Sequence, residues 1–102
     1  MDKSVKISML LEIYRKMLTE KQADVIDLYY NQNLSLSEIA EELCVTRQAV
    51  RKSLVEAEKN LLMFEEKLNI LEKQMKREEK IDKILSHIED EKLLKMIEEL
   101  KM

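Results

Sequence analysis

Apolar residues recur every three or four positions in the N-terminal part of the chain, which is the spacing of amphipathic helices. The first predicted helix has its apolar face at Val5, Met9, Leu10, Ile13, Tyr14 and Met17. The second has Val25, Ile26, Leu28 and Tyr29, and the third has Leu36, Ile39, Ala40 and Leu43. The pattern therefore predicts three short helices in this part of the chain.

Polar residues suited to capping helices separate these apolar runs. Two pairs have the spacing of a capping box: Thr19 with Gln22, and Ser35 with Glu38. Asn31 and Asn33 are expected to end the second helix, because Asn is the best substitute for Gly in the left-handed conformation of a helix end. Thr46 fits the N-cap position of a fourth helix.

From Thr46 onwards the apolar pattern becomes the heptad repeat of a coiled-coil seam. Leu54, Leu61, Leu68 and Met75 are seven residues apart, and Ala57, Phe64 and Leu71 each follow three residues after one of them. The repeat predicts one uninterrupted helix from Thr46 to about Glu79, ~50 Å long. Two further apolar runs, 81–88 and 93–100, predict C-terminal helices with Asp90 as the cap of the last one.

The heptad stripe is too long for a small N-terminal bundle to cover, and it would be an unusually large apolar patch if it were exposed. The C-terminal helices are expected to cover part of it. The rest is expected to pack against a second copy, since two-fold dimers are the commonest oligomers. The residues of this predicted homodimer contact are Leu61, Phe64, Leu68, Leu71 and Met75.

The amino-acid composition narrows the fold to the all-α class. The 102 residues include no Gly and no Pro, on which the tight turns between strands depend. Apolar residues make up 45% of the chain and charged residues 38%, which is typical of long amphipathic helices and unlike a disordered chain. We expect an N-terminal bundle followed by a long helix and C-terminal helices.

Charge and cysteine content limit the class of protein. The net charge is −3, from 18 basic and 21 acidic residues, so a surface that binds nucleic acid has to be local. The single cysteine, Cys44, permits no internal disulfide and fits a reducing compartment. No apolar run approaches the ~18 residues of a membrane span, and the N-terminus lacks the apolar region of a signal peptide. These features predict a cytoplasmic protein without membrane insertion.

Residues 34–54 fit a helix-turn-helix motif. Ala40 supplies the small residue that is needed where the two helices cross closely, and Thr46 supplies the cap of the second helix. The apolar anchors of the two helices are Ile39, Leu43, Val45 and Val50. The motif predicts a helix-turn-helix domain over residues 1–62 and a helical extension over residues 63–102.

The start of the second helix of the motif carries the candidate nucleic-acid contacts. These are Thr46, Arg47, Gln48, Arg51 and Lys52. Arg and Gln at the N-terminal end of a recognition helix can read guanine and adenine edges in the major groove. The alternative interpretation is a solvated charged face, and Glu41 and Glu42, just before the turn, would repel a polyanion.

The sequence contains no recognisable pattern for catalysis. With Cys44 as the only Cys and His87 as the only His, no metal site can be assembled from them. A nucleophile elbow, a Gly-rich phosphate loop and a paired-carboxylate pocket are not recognisable. We therefore expect no enzyme activity, no cofactor and no small-molecule substrate. Cys44 stands where the turn usually holds Gly, either as a tolerated small residue or as a redox or ligand sensor.

Five segments of the chain resemble the YlxM-type family of small helix-turn-helix proteins, which is itself similar to region four of bacterial sigma factors. They are Leu18-Thr-Glu-Lys-Gln22, Leu28-Tyr-Tyr30, Leu34-Ser-Leu36, Glu38-Ile-Ala-Glu-Glu-Leu43 and Arg47-Gln-Ala-Val50. The resemblance also takes in Leu10, Leu11, Tyr14 and residues 58–71, so it covers the greater part of the chain.

The resemblance implies one of two roles. Members of the family are encoded beside the genes of the bacterial signal recognition particle, and they have been linked to that particle and to transcription regulation. The first hypothesis is a transcription regulator that binds DNA through Arg47, Gln48, Arg51 and Lys52. The second is an accessory protein that binds the RNA or the GTPase of the signal recognition particle without sequence-specific DNA binding.

Overall fold

The computed structural model describes residues 1–101, and the regular secondary structure of these residues is helical throughout. Within this range the α-helices are α1 (Lys3–Tyr14), α2 (Glu20–Ile26), α3 (Leu36–Leu43), α4 (Arg47–Leu68), α5 (Ile70–Leu85) and α6 (Glu91–Glu99). A 3-10 turn, Arg15–Met17, follows α1, and a π-helical turn, Asp27–Asn31, continues α2. The all-α prediction is confirmed. The chain divides into two units, Met1–Asn69 and a second that begins at Ile70.

The helix caps expected from the sequence are present as hydrogen bonds. Thr19 Oγ1 accepts the Gln22 N–H at 3.1 Å, while Gln22 Oε1 accepts the Thr19 N–H at 3.3 Å. Ser35 and Glu38 form the same reciprocal pair at 3.1 and 3.0 Å. The Asp90 carboxylate accepts two backbone N–H groups at the start of α6, at 2.9 and 3.3 Å. Each cap satisfies backbone donors that a helix end leaves without a partner.

The core of the first unit is built around α4, which packs against α1, α2 and α3. The buried stripe of α4 consists of Val50, Leu54, Ala57 and Leu61. The other helices contribute Ile7, Leu10, Leu11 and Tyr14 from α1, Ala23, Val25 and Ile26 from α2, and Ile39 and Ala40 from α3. Because each buried Val, Leu or Ile side chain contributes roughly 1.5–3 kcal/mol, the first unit depends on this stripe.

The apolar face predicted for α1 is partly wrong. Val5, Met9 and Met17 are exposed, and the buried side that includes Leu10 and Tyr14 is completed by two residues that the prediction left out, Ile7 and Leu11. Helix α1 has one apolar stripe with the spacing 7, 10, 11 and 14 and a second with the spacing 5, 9 and 13. Periodicity alone cannot decide between two apolar stripes on one helix.

Tyr29 was expected in the core but is exposed, and its ring stacks on Tyr30 with centroids 5.0 Å apart. The physical reason is the π-helical turn, in which the Gln32 N–H bonds the Asp27 carbonyl at 3.1 Å, because this wider turn changes the direction of the side chains that follow α2. The Tyr30 hydroxyl donates to Glu58 Oε1. Partial burial, together with that carboxylate, raises the pKa of Tyr30.

The predicted uninterrupted helix from Thr46 to Glu79 is wrong. Helix α4 ends at Leu68, and Asn69 adopts the left-handed conformation with φ 52° and ψ 31° before α5 begins at Ile70. The Asn69 N–H bonds the Glu65 carbonyl at 2.8 Å. Asn tolerates this conformation better than most residues, as at Asn33, where φ is 56°. A change in the sign of φ at a single residue leaves the heptad spacing of the apolar residues unchanged. The spacing therefore does not reveal that the helix ends there.

The second unit has a small buried core and a large exposed apolar surface. Leu71 and Ile81 are buried, whereas Ile84, Leu93, Met96 and Leu100 are about half exposed. Lys101 forms an ion pair with Asp82 within this unit. In residues 1–101 no helix is both long and apolar enough to cross a membrane.

Replacing Ala40 with Glu is expected to unfold the first unit. Ala40 is buried where α3 packs on α4, and a Glu there would place an unpaired charge in the core at a cost of about 3 kcal/mol or more. Far-UV circular dichroism melting measures the effect. Ser37→Glu, on the exposed side of the same helix, is the matched control and should melt like the wild type. An Ala40→Glu variant that melts like this control would contradict the packing.

Replacing Cys44 with Gly is expected to stabilise the first unit. Cys44 is exposed and has φ 56°, and a Cβ atom in this conformation costs about 1 kcal/mol. The melting temperature should therefore rise by about 4–8 °C. Cys44→Ala keeps the Cβ atom and should bring no such gain. Equal melting temperatures for the two variants would show that the left-handed conformation carries no cost here.

Candidate nucleic-acid interface

The turn between α3 and α4 is closed by backbone hydrogen bonds. Cys44 is left-handed, with φ 56° and ψ 43°. Its N–H bonds the Glu41 carbonyl at 3.3 Å, and the Val45 N–H bonds the Ala40 carbonyl at 3.0 Å, which together form a Schellman motif. These bonds end α3 and fix the direction in which the chain enters α4. The turn expected from the sequence is present, with Cys at the position that Gly usually occupies.

Thr46 begins α4 as its N-cap, as predicted. Its backbone is extended, and its Oγ1 accepts the Ala49 N–H at 3.1 Å. The Val50 N–H bonds the Thr46 carbonyl at 3.1 Å, so the first turn of α4 is regular from its start. The cap holds the next two residues, Arg47 and Gln48, at the N-terminal end of the helix, where the helix dipole favours negative ligands.

The first two turns of α4 present the predicted polar side chains to solvent. Arg47, Gln48, Arg51 and Lys52 are all exposed. Arg47 and Arg51 are four residues apart, as are Gln48 and Lys52, so the members of each pair are neighbours on the helix surface. Within residues 1–101 none of these four side chains forms a hydrogen bond or an ion pair. The structure therefore brings the four residues together on one accessible surface.

An acidic surface lies on the preceding helix. Glu38, Glu41 and Glu42 are exposed on the side of α3 opposite Ile39 and Ala40. The backbone N–H and then the hydroxyl of Ser35 lower the pKa of Glu38, so it stays ionised to a lower pH than a free Glu. The stabilisation from this contact is present above the pKa of an unfolded Glu and is lost as pH falls through the lowered value. Sequence reasoning gave Glu38 only a capping role, although its spacing from Glu41 and Glu42 already placed the three on one face.

The motif is matched by comparison with known proteins. A family model described as "Putative helix-turn-helix protein, YlxM / p13 like" matches residues 1–101. The chain belongs to this family.

This chain also aligns with relatives of similar length, and each alignment covers most of both sequences. A UPF0122 protein of Clostridium botulinum is 43% identical over 90 residues, which are 88% of this chain and 83% of the relative. A UPF0122 protein of Clostridium kluyveri is 44% identical over 89 residues, or 87% and 80% of the two chains. A third, from Halalkalibacterium halodurans, is 38% identical over 104 residues, or 98% and 95%. The family resemblance seen in the sequence is thereby confirmed.

In this YlxM / p13-like chain, the residues of the predicted dimer stripe lie in different environments. Leu61 is fully buried in the first unit, so its side chain is not available to a partner in this conformation. Phe64 is partly buried beside Tyr14, with ring centroids 5.9 Å apart. Leu71 is buried as well, whereas Leu68 and Met75 are 43% and 38% exposed. Only the last two present large apolar surface.

Two further residues carry side chains with possible chemistry. Cys44 has an exposed free thiol, and His87 is also exposed. Within the described part of the chain, His, Cys, Asp and Glu side chains form no group of three that could hold a metal ion. The charged side chains that the helix-turn-helix exposes are thus the basic residues on α4 and the acidic residues on α3. Such side chains recognise charged partners.

Proposed function

We propose that this YlxM / p13-like protein is a cytoplasmic nucleic-acid-binding regulator, not an enzyme, that contacts its target with the first two turns of α4. The observation that carries the proposal is the exposed surface of Arg47, Gln48, Arg51 and Lys52 at the start of the second helix of a helix-turn-helix, in a stretch with no acidic residue between Leu43 and Val55. In this motif the N-terminal residues of the second helix contact base edges in the major groove.

The proposed contacts divide by chemistry. Arg47, Arg51 and Lys52 neutralise phosphates, and an Arg that reaches the groove can also bind guanine in a bidentate manner. Gln48 is the residue suited to reading adenine. Thr46 holds the helix end in place through its cap and lies where a backbone phosphate would approach the helix.

A second candidate function is an accessory role in the signal recognition particle pathway. The observation that favours it is the acidity of the protein, with a net charge of −3 and three exposed Glu residues on α3. These charges repel a polyanion, RNA as well as duplex DNA, and therefore favour the GTPase of the particle as the partner. In this alternative the same α4 surface meets the RNA of the particle or its GTPase, and no DNA sequence is read.

We further propose that the protein works as a homodimer. The second unit is short. Chains below ≈ 40 residues rarely fold without a metal, a disulfide or oligomerisation, so we expect this unit to need a stabilising partner. It leaves Met75, Met96 and Leu100 exposed by 38%, 57% and 60%. Burial of these residues between two copies would remove that apolar surface from water.

The salt dependence of binding tests the α4 contacts. If each of the three cations neutralises one phosphate, a dimer makes about six contacts, and log affinity should fall with log salt at a slope near −5. Changing Arg51 and Lys52 to Ala in both subunits should bring the slope to about −2. Fluorescence anisotropy with labelled DNA or RNA measures the slope.

Lys92→Ala/Lys95→Ala, which removes two exposed cations from α6, is the matched control and should leave the slope unchanged. Gln48→Ala should change sequence preference while leaving the slope alone. If neither nucleic acid binds at 50 mM salt, the α4 surface is a solvated charged face and the proposal fails.

The two candidate functions differ in their preferred ligand. A DNA regulator should bind one duplex sequence more tightly than others at physiological salt. An accessory protein should bind DNA weakly at that salt, but should bind the RNA of the signal recognition particle tightly, alone or with its GTPase. Titrating both ligands at two salt concentrations separates these cases, and tight sequence-specific DNA binding would rule out the accessory role.

The dimer proposal predicts that acidic substitutions in the contact lower the sedimenting mass from that of a dimer to that of a monomer. The wild-type protein should sediment as a dimer at tens of micromolar. Met75→Glu/Met96→Glu should sediment as a monomer, because each subunit would then bring two unpaired charges into the contact. Met9→Glu/Met17→Glu is the matched control, since it changes two exposed Met residues of the first unit, and it should remain a dimer. A monomeric wild-type protein would overturn the proposal.

A further inference from the structure

Helix α5 carries its positive charges in one continuous row. Each of its five basic residues is three or four positions from at least one other, so they are neighbours on the helix surface. All five side chains are exposed, and the row is about 15 Å long. This row, the α5 basic stripe, consists of Lys73, Lys76, Arg77, Lys80 and Lys83.

The stripe lies largely on the side of α5 that faces away from the core of the second unit. The buried residues of α5 are Leu71 and Ile81, and the helix packs against α6. With about 3.6 residues per turn, the side chains opposite this buried side are those of Lys76, Lys80 and Lys83. The stripe is therefore open to a ligand from outside the unit.

The acidic residues of α5 leave most of the stripe without a partner. Glu72 forms an exposed ion pair with Lys76, with 3.1 Å between Oε1 and Nζ, whereas Asp82 pairs with Lys101 instead of the stripe. Glu79 is three residues from Lys76 but forms no ion pair with it. Within residues 1–101 the side chains of the other four stripe residues form no hydrogen bond and no ion pair.

This arrangement lowers the stability of the helix. Like charges four residues apart destabilise an α-helix. The stripe contains two such pairs, which are Lys73 with Arg77 and Lys76 with Lys80. Only Lys83 lies in the last turn, where the helix dipole favours a cation. Helix stability alone would distribute acidic residues among these positions, and an anionic ligand along the stripe would remove the repulsion.

The surroundings of the stripe favour a nucleic acid over a membrane as this ligand. A helix that lies on a lipid surface needs a broad apolar face beside its cations. The exposed large apolar residues beside the stripe are Ile70 and Ile84, which lie at the two ends of α5 and form no such face. Duplex DNA instead carries one negative charge per about 1.7 Å of its axis, so a row of this length faces several phosphates.

We infer that the α5 basic stripe is a second nucleic-acid contact, which binds the phosphate backbone without reading base sequence. The inference rests on the proposed function in one respect, that the protein binds a nucleic acid, but it does not require α4 to be the other contact. Arg77 and Lys80 lie in the middle of the stripe and are the residues that bring its two ends together in one surface. Contacts of this kind add affinity and fix the position of the protein, while sequence is read elsewhere.

The test removes the two central cations. Arg77→Ala/Lys80→Ala should melt no lower than the wild type in circular dichroism, because Ala has the highest helix propensity and the repulsion is relieved. Each phosphate contact adds about 0.9 to the slope of log affinity against log salt, so the variant should flatten the slope by about 1.8 for each bound subunit. The α4 cations alone give a slope near −5, and contacts by α5 make the wild-type slope steeper.

Fluorescence anisotropy measures these slopes with a fluorescein-labelled random-sequence DNA duplex and with an RNA duplex of the same sequence. A flattened slope with both duplexes identifies the shared phosphate backbone as the ligand. A flattened slope with only one duplex supports the contact and identifies which nucleic acid it holds. An unchanged slope and affinity with both would overturn the inference.

The matched control is Lys92→Ala/Lys95→Ala, which removes two exposed cations from α6 of the same unit and gives the same net charge. It should keep the wild-type slope and affinity. Equal losses for the two Ala pairs would overturn the inference, because net charge alone would then explain them.

Failure of the α4 proposal has a different signature. If Arg51→Ala/Lys52→Ala loses binding and Arg77→Ala/Lys80→Ala does not, α4 is the contact and the inference alone fails. If only the α5 variant loses binding, the inference stands and the α4 proposal fails. Vesicles of phosphatidylcholine and phosphatidylserine test the membrane alternative. Wild-type binding to these vesicles that is lost in the α5 variant, with the nucleic-acid slope unchanged, would overturn the inference.

Discussion

Val50, Leu54, Ala57 and Leu61 form the stripe by which α4 packs against three other helices, and the candidate interface depends on that packing. Because this side of α4 is buried, Gln48, Arg51 and Lys52 can only point to solvent. The Cys44 turn adds a second constraint, since its two backbone hydrogen bonds set where α3 ends relative to the start of α4. Side chains of opposite charge are thereby held on neighbouring helices of one rigid motif.

Local interactions are the part of the fold that the sequence predicted well. Thr19, Ser35, Thr46 and Asp90 each bond a backbone N–H within the next three residues, so a capping pattern can be recognised without knowing the rest of the molecule. The turn at Cys44 was located by the spacing of apolar anchors around it. The exposure of the four α4 residues followed from the same spacing, because their helix has one buried side.

The features that sequence reasoning placed wrongly depend on tertiary packing or on single backbone angles. Leu54, Ala57 and Leu61 have coiled-coil spacing, yet they are buried in the first unit of their own chain. A helix that packs in a bundle and a helix that pairs with another copy have the same apolar period. The break at Asn69 is a positive φ in one residue, which leaves the spacing of apolar residues in the flanking helices unchanged.

The charge layout explains how an acidic chain can present a surface for polyanions. The Debye length is ≈ 8 Å at physiological ionic strength, so exposed charges act mainly over the distance of neighbouring side chains. A ligand at the start of α4 therefore responds to Arg47, Arg51 and Lys52 far more than to the net charge of −3. The acidic residues near this surface are those on α3, which the turn holds beside α4, and Glu56, which follows Lys52 by four residues on α4. The local charge at the start of α4 is thus set by two adjacent helices of one motif.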